Sequence, residues 1–136
     1  MIVLDENVHQ QSIMAGIAEW YRGQVLSITM LRPNTLIKDD AIPVLLRRIR
    51  QPTLVTTNVT DFWRRVPVHS RYSIVCVVLP NERLYELPHL LRELFRVPEF
   101  KTRPRRMGKI IRVSPRRLHY YERQSDPIIH IRTWSV

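Results

Sequence analysis

The chain has one cysteine, three glycines and no apolar run long enough to cross a membrane, and each shortage removes a class of function. Cys76 alone supports neither a disulfide framework nor a thiolate metal cluster. It sits inside Ile74-Val75-Cys76-Val77-Val78-Leu79, where it reads as a small buried hydrophobe compatible with a reducing cytoplasm. That run is the longest apolar stretch, far below the ~20 residues of a membrane span. The start of the chain has no basic-then-apolar secretory pattern, so the expectation is a cytoplasmic protein with no membrane partner. Gly16, Gly23 and Gly108 are too few for a glycine-rich phosphate loop, and no Gly-x-Ser-x-Gly elbow occurs. His9, His69, His89, His119 and His130 lack metal-ligand spacing and read as solvated or core-edge side chains.

Acid is scarce at one end. Residues 1–100 carry 12 Lys+Arg against 10 Asp+Glu, a net +2, whereas residues 101–136 carry 10 against 2, a net +8. Most of the chain's +10 therefore lies in its last quarter, and arginine, whose planar fork matches phosphate oxygens, dominates it. A polyanion such as RNA or DNA is the natural partner. An anionic membrane surface, an acidic protein and a tail that serves only solubility are the alternatives.

What is present alternates strand and helix. Ile2-Val3-Leu4 is a short buried-strand signal, and His9 to Arg22 places Ile13, Met14, Ile17, Ala18 and Tyr21 at helical spacings before Gly23. Gln24 to Met30 reads as a second strand, closed by the loop at 31–34. Asp39 is placed to cap a helix with Pro43 in its first turn, apolar Val44, Leu45, Leu46 and Ile49, and Arg47, Arg48 and Arg50 at its C-terminal end. Thr53 to Thr56 is a third strand, followed by a short helix capped by Asn58 or Thr60. The unbroken apolar strand from Tyr72 to Leu79 calls for burial on both faces, as in the middle of a parallel sheet. Leu84, Leu87, Leu90, Leu91, Leu94 and Phe95 then mark an amphipathic helix starting near Pro88. Lys109 to Val113, Leu118 to Tyr121 and Ile128 to Trp134 read as final strands, and Arg103-Pro104-Arg105-Arg106 as a flexible connection. This pattern predicts an α/β protein with a mainly parallel sheet and an antiparallel C-terminal addition. Residues 1–100 form the α/β core, and residues 101–136 a basic β extension of the same domain.

The acids fall at one edge of such a sheet. Asp5 ends the first strand, Asp40 opens the helix after the second, and Asn58 and Asp61 lie just beyond the third. Ligands of open α/β sheets bind outside the carboxyl ends of the strands. Carboxylates gathered there require a cation, and hard oxygen donors suit Mg²⁺ or Mn²⁺, which supports phosphodiester hydrolysis. Helix capping and turn formation account for each position separately. Trp63 beside Arg64 and Arg65 offers base stacking and phosphate contact near the acids, or packing under the short helix.

The strand ending in Asp5-Glu6-Asn7, the segment Asp40-Ala41-Ile42 leading Val44-Leu45-Leu46, and the run from Leu54 to Phe62, followed by an apolar strand, resemble the compact PIN-like domains of bacterial toxin–antitoxin pairs, related to VapC toxins. The resemblance covers roughly residues 1–80. It implies a three-layer α/β/α sheet and metal-dependent ribonuclease activity, with Asp5, Asp40 and Asp61 as Mg²⁺ or Mn²⁺ ligands and Asn58 as a weaker ligand or water-positioning amide. Glu6, Asn7 and Thr57 would support them. RNA as substrate, a cognate antitoxin and a second copy of the chain are the implied partners. Members of this type read Thr-x-Asp-x-Asp-Phe in the third motif. Here Asn58 takes the first aspartate's place only with one extra residue before Asp61, and without that residue Val59 stands there; an amide brings no charge to a cation.

Two readings follow. In one, the chain is a ribonuclease whose substrate backbone is gripped by Arg64, Arg65, Arg103, Arg105, Arg106, Lys109, Arg116 and Arg117. In the other, it is a catalytically degenerate PIN-like module that binds nucleic acid or a protein. A DNA-processing nuclease would use the same acids.

Overall fold

The computed structural model describes residues 1–8, 10–31, 41–122 and 130–134, with side chains at 130–133 excepted. His9, the loop at 32–34, Asp39, Asp40, Arg123, the start of the last extended piece and the Arg132 side chain lie outside the described residues.

Among the described residues seven strands form one sheet: β1 (Ile2–Leu4), β2 (Val25–Ser27), β3 (Thr53–Thr56), β4 (Ser73–Val77), β5 (Ile110–Val113), β6 (Arg117–Tyr121) and β7 (His130–Thr133). Their order is β2-β1-β3-β4-β5-β6-β7. The first five run parallel, and β6 and β7 add in antiparallel pairings. Succession reverses between β1 and β3: the chain steps outward to β2 and returns on the other side of β1. This is the topological switch point of the sheet, and ligands of open α/β sheets bind outside the carboxyl ends of the strands at such a point.

Alternation along the strands separates two cores. Ile2, Leu4, Val55, Val75, Val77, Ile111 and Val113 pack on one face against α1 (Gln11–Ala18) and α5 (Leu87–Leu94). Val3, Leu54, Ile74, Cys76 and Ile110 pack on the other against α2 (Ile28–Leu31), α3 (Ile42–Arg47) and α4 (Val59–Phe62). The result is a three-layer α/β/α arrangement. The central strands β3 and β4 are buried along their whole length, which is why neither shows a polar-out alternation.

In α5, Leu87, Leu90, Leu91 and Leu94 recur at helical spacing and are all buried, each contributing about 1.5–3 kcal/mol relative to exposure. Pro88 occupies the first turn, where its missing N–H is harmless. It also touches α1: a β-carbon at Gly16 would stand 2.8 Å from Pro88 Cγ, so glycine sets how closely these helices approach.

Three local readings are corrected. The second strand ends at Ser27 rather than Met30 because the Ser27 hydroxyl accepts the Thr29 N–H (3.3 Å) and turns the chain into α2. The first helix is shorter than its apolar pattern, ending at Ala18. Arg103–Arg106, read as a flexible connection, is a helical turn, α6, capped by the Thr102 hydroxyl on Arg105 N–H (3.4 Å). Pro104 is compatible with that first turn, and the buried Arg106 anchors it.

Candidate functional site

Asp5 follows β1 directly. Its N–H donates to Val55 O (3.0 Å), extending the ladder to β3, and its carbonyl accepts Val8 N–H (3.0 Å), turning the chain away from the sheet. Residues two apart on a strand share a face, so Asp5 projects on the Val3 side and Thr56 on the Leu54 side, which is the same layer. There the Thr56 hydroxyl donates to Asp5 Oδ2 at 2.7 Å.

The line continues into α4. Thr56 Oγ1 accepts Asn58 N–H (2.9 Å). Asn58 caps the helix by accepting Asp61 N–H at Oδ1 (3.3 Å), while its Nδ2 donates to Asp61 Oδ2 (2.7 Å). Asp5, Thr56, Asn58 and Asp61 thus form one hydrogen-bonded row beside the switch point, buried at Asp5, which is 5% exposed, and open to solvent at Asp61.

Removing a carboxylate from water is costly unless its oxygens are satisfied, and one hydroxyl does not saturate Asp5. Among the described residues no cation pairs with it. The remaining lone pairs of Asp5 and the exposed Asp61 are hard oxygen donors of the kind a dication takes. Among the described residues no three His, Cys, Asp or Glu side chains gather at one point, and the expected third acid, Asp40, lies outside them.

Glu6 and Asn7 are exposed in the turn after β1. Thr57, expected beside the acids, contributes its carbonyl to Val59 N–H (3.0 Å). The residue that touches Asp5 is its neighbour Thr56, which sequence reasoning missed. Its signal is a polar side chain at the carboxyl end of the strand, in phase with Leu54 and level with Asp5.

The basic residues do not all gather at the acids. Arg64 N–H donates to Tyr121 Oη (2.9 Å), and its guanidinium lies 4.2 Å from that ring's centre; Tyr121 pairs with Ile110, at the start of β5 rather than in the row of Thr56, and Arg65 is exposed nearby. Trp63 meets Tyr121 edge-on at 4.9 Å, so it packs under α4 rather than standing free as a stacking platform. Arg116 is exposed, and Arg117 lines a cavity of about 350 Å³ with Val59, beside Asn58 and Asp61.

Arg103, Arg106 and Lys109 lie at the opposite edge, before β5 begins, where Arg103 and Arg106 line a hollow with Met1, Gln24 and Arg50. Arg106 is 4% exposed, donates to Phe100 O (3.0 Å) and Lys101 O (3.4 Å), and covers the Phe95 ring at 4.0 Å. Burial pulls its pKa down to about 10, which leaves it charged at neutral pH. Arg105 donates to Pro98 O (3.0 Å), and Lys109 to Glu99 O (2.9 Å). The basic extension is therefore not one continuous grip beside the acids.

Among the described residues no helix is long and apolar enough to cross a membrane. No family model, no curated protein and no solved structure matches the chain.

Proposed function

We propose that the chain is a PIN-like, Mg²⁺- or Mn²⁺-dependent endoribonuclease, the toxin of a toxin–antitoxin pair, acting in the cytoplasm. The observation that carries this reading is the Asp5–Thr56–Asn58–Asp61 row, which brings two carboxylates to the switch point of a parallel sheet. Asp5 and Asp61 would hold the ion, joined by Asp40. When bound, it would polarise the phosphodiester and lower the pKa of an attacking water. Thr56 fixes the Asp5 carboxylate by hydrogen bonding, and Asn58 fixes that of Asp61. Pre-oriented donors of this kind need no rearrangement at the moment of reaction.

The test is cleavage of single-stranded RNA by the metal-stripped protein. Activity absent in EDTA and restored by Mn²⁺ supports the reading, and cleavage that persists in EDTA overturns the metal mechanism.

One contact favours a second reading, a PIN-like module that binds nucleic acid or an antitoxin-like partner without cleaving. The Asn58 amide occupies Asp61 Oδ2 and adds no charge to the site. Titration with Mn²⁺ separates the two: saturable binding lost in Asp5→Asn favours the nuclease, and no binding at millimolar ion favours the module.

A further inference from the structure

The cavity beside the acids is lined by Val59, Val78, Arg112, Ser114, Arg117 and His119. Its basic members belong to the same layer of the sheet as the acids. Thr56 is level with Cys76, Cys76 with Arg112, and Arg112 with His119, so one lateral row of residues runs from the Asp5 contact into the cavity. With strands about 4.8 Å apart, Arg112 lies about three spacings, roughly 14 Å, along the edge from Asp5.

Arg112 is held in place. Its guanidinium lies 4.9 Å from the Trp63 ring centre and donates to His119 Nδ1 at 3.1 Å. A guanidinium only donates, so Nδ1 accepts and the neutral imidazole carries its proton on Nε2. Burial, with Arg112 and Arg117 close by, holds His119 below its ordinary pKa and keeps it in that form. Arg117 stands across the turn, its N–H bonded to Ser114 Oγ (3.1 Å). Among the described residues neither Arg112 nor Arg117 pairs with a carboxylate. Two guanidiniums in one concavity repel each other, and an anion between them relieves that repulsion.

We propose that this cavity is a subsite for a backbone phosphate of single-stranded RNA, bound by Arg112 and Arg117 with the adjoining nucleotide packed on Val78. Val78, 45% exposed in the cavity lining, is one of the few large apolar side chains open to solvent among the described residues and supplies sugar or base contact. The separation from Asp5 selects a polymer: a single phosphate cannot reach both places, whereas a strand lying along the sheet edge meets the acids and the guanidiniums together. The choice of RNA rests on the ribonuclease reading, but binding without metal is measured independently of cleavage.

The experiment is fluorescence anisotropy of a labelled single-stranded RNA in EDTA, with wild type, Arg117→Ala, Arg112→Lys and the double variant Arg112→Lys/Arg117→Ala, melting curves confirming that each folds. Arg117 is exposed, so its truncation leaves the core intact. The expected result is about tenfold weaker binding for Arg117→Ala, with the slope of log affinity against log salt reduced by about 0.7 for the lost contact. Arg112→Lys keeps charge but loses the fork, and weakens binding several-fold. Unchanged affinity in the double variant, no wild-type binding to RNA, or full competition by millimolar inorganic phosphate at unchanged salt each overturns the subsite. RNA bound through these residues but never cleaved leaves the subsite standing and removes the nuclease reading.

Discussion

The Thr56 hydroxyl donates to the Asp5 carboxylate at 2.7 Å, tying together the ends of two adjacent parallel strands 51 residues apart in sequence. Thr56→Val keeps the shape of the side chain but strips this donor from a buried carboxylate and the acceptor from Asn58 N–H, and the first loss alone costs about 1–3 kcal/mol. Urea unfolding of Thr56→Val and Thr56→Ser measures it: the valine variant loses that stability and the serine variant retains most of it.

Asn58 and Asp61 make the opposite kind of pair, an amide holding an exposed acid. Asn58→Asp retains a good helix cap but sets two carboxylates against each other. Its melting temperature should fall below wild type in EDTA and rise by more than wild type's when Mn²⁺ is added. Equal responses of the two proteins to Mn²⁺ would remove Asn58 and Asp61 from the proposed ion site.

Arg106 is the basic residue whose surroundings assign it to architecture. Arg106→Met keeps an apolar stem over Phe95 and deletes two bonds to the Phe100 and Lys101 carbonyls, at a cost of about 1–3 kcal/mol. Thermal melting should register the loss. RNA affinity of the folded variant should stay within about twofold of wild type, because the residue is buried at the other edge of the sheet.

Alkaline pH should unfold the protein through its core. Burial raises the Cys76 thiol from 9.0 to about 12 and the Tyr72 phenol from 10.0 to about 12. Each keeps its proton in the folded state after the unfolded chain has released it. The stability they protect is whole below about pH 9 and falls as pH rises toward 12, at about 1.4 kcal/mol per pH unit for one such group. Urea midpoints should be level in these two groups' contribution from pH 7 to 8.5 and fall above it. Cys76→Ala should be less stable than wild type from pH 7 to 8.5 and shift the onset of that fall toward pH 10, where Tyr72 takes over.

How far the sequence foretold this structure depends on the range of each signal. The layers were legible because strand burial and helical spacing are local patterns: the unbroken apolar run around Cys76 required a central strand, and the leucines from Leu87 to Leu94 required a helix. The end of β2 was not, because a single serine hydroxyl on Thr29 N–H overrode the β-branched residues that follow. Asp5, Asn58 and Asp61 were singled out by their places after strands. Thr56 was passed over because its partner lies 51 residues away and only the register of β1 against β3 brings them level. The division of the basic residues was hidden for the same reason: net charge counts Arg106 and Arg117 alike, and the fold buries one and opens the other onto the cavity beside α4.

The most direct test of the central claim is the rate of metal-dependent RNA cleavage by Asp5→Asn, measured beside wild type at saturating Mn²⁺. The amide still accepts the Thr56 hydroxyl and removes an unpaired buried charge, so in EDTA the variant should melt at or above wild type and bind RNA at least as well. The account predicts a loss of cleavage of about a hundredfold or more in that folded, RNA-binding protein, the scale seen when one electrostatic group is removed from a preorganised site. Cleavage at the wild-type rate by a folded Asp5→Asn protein would contradict it.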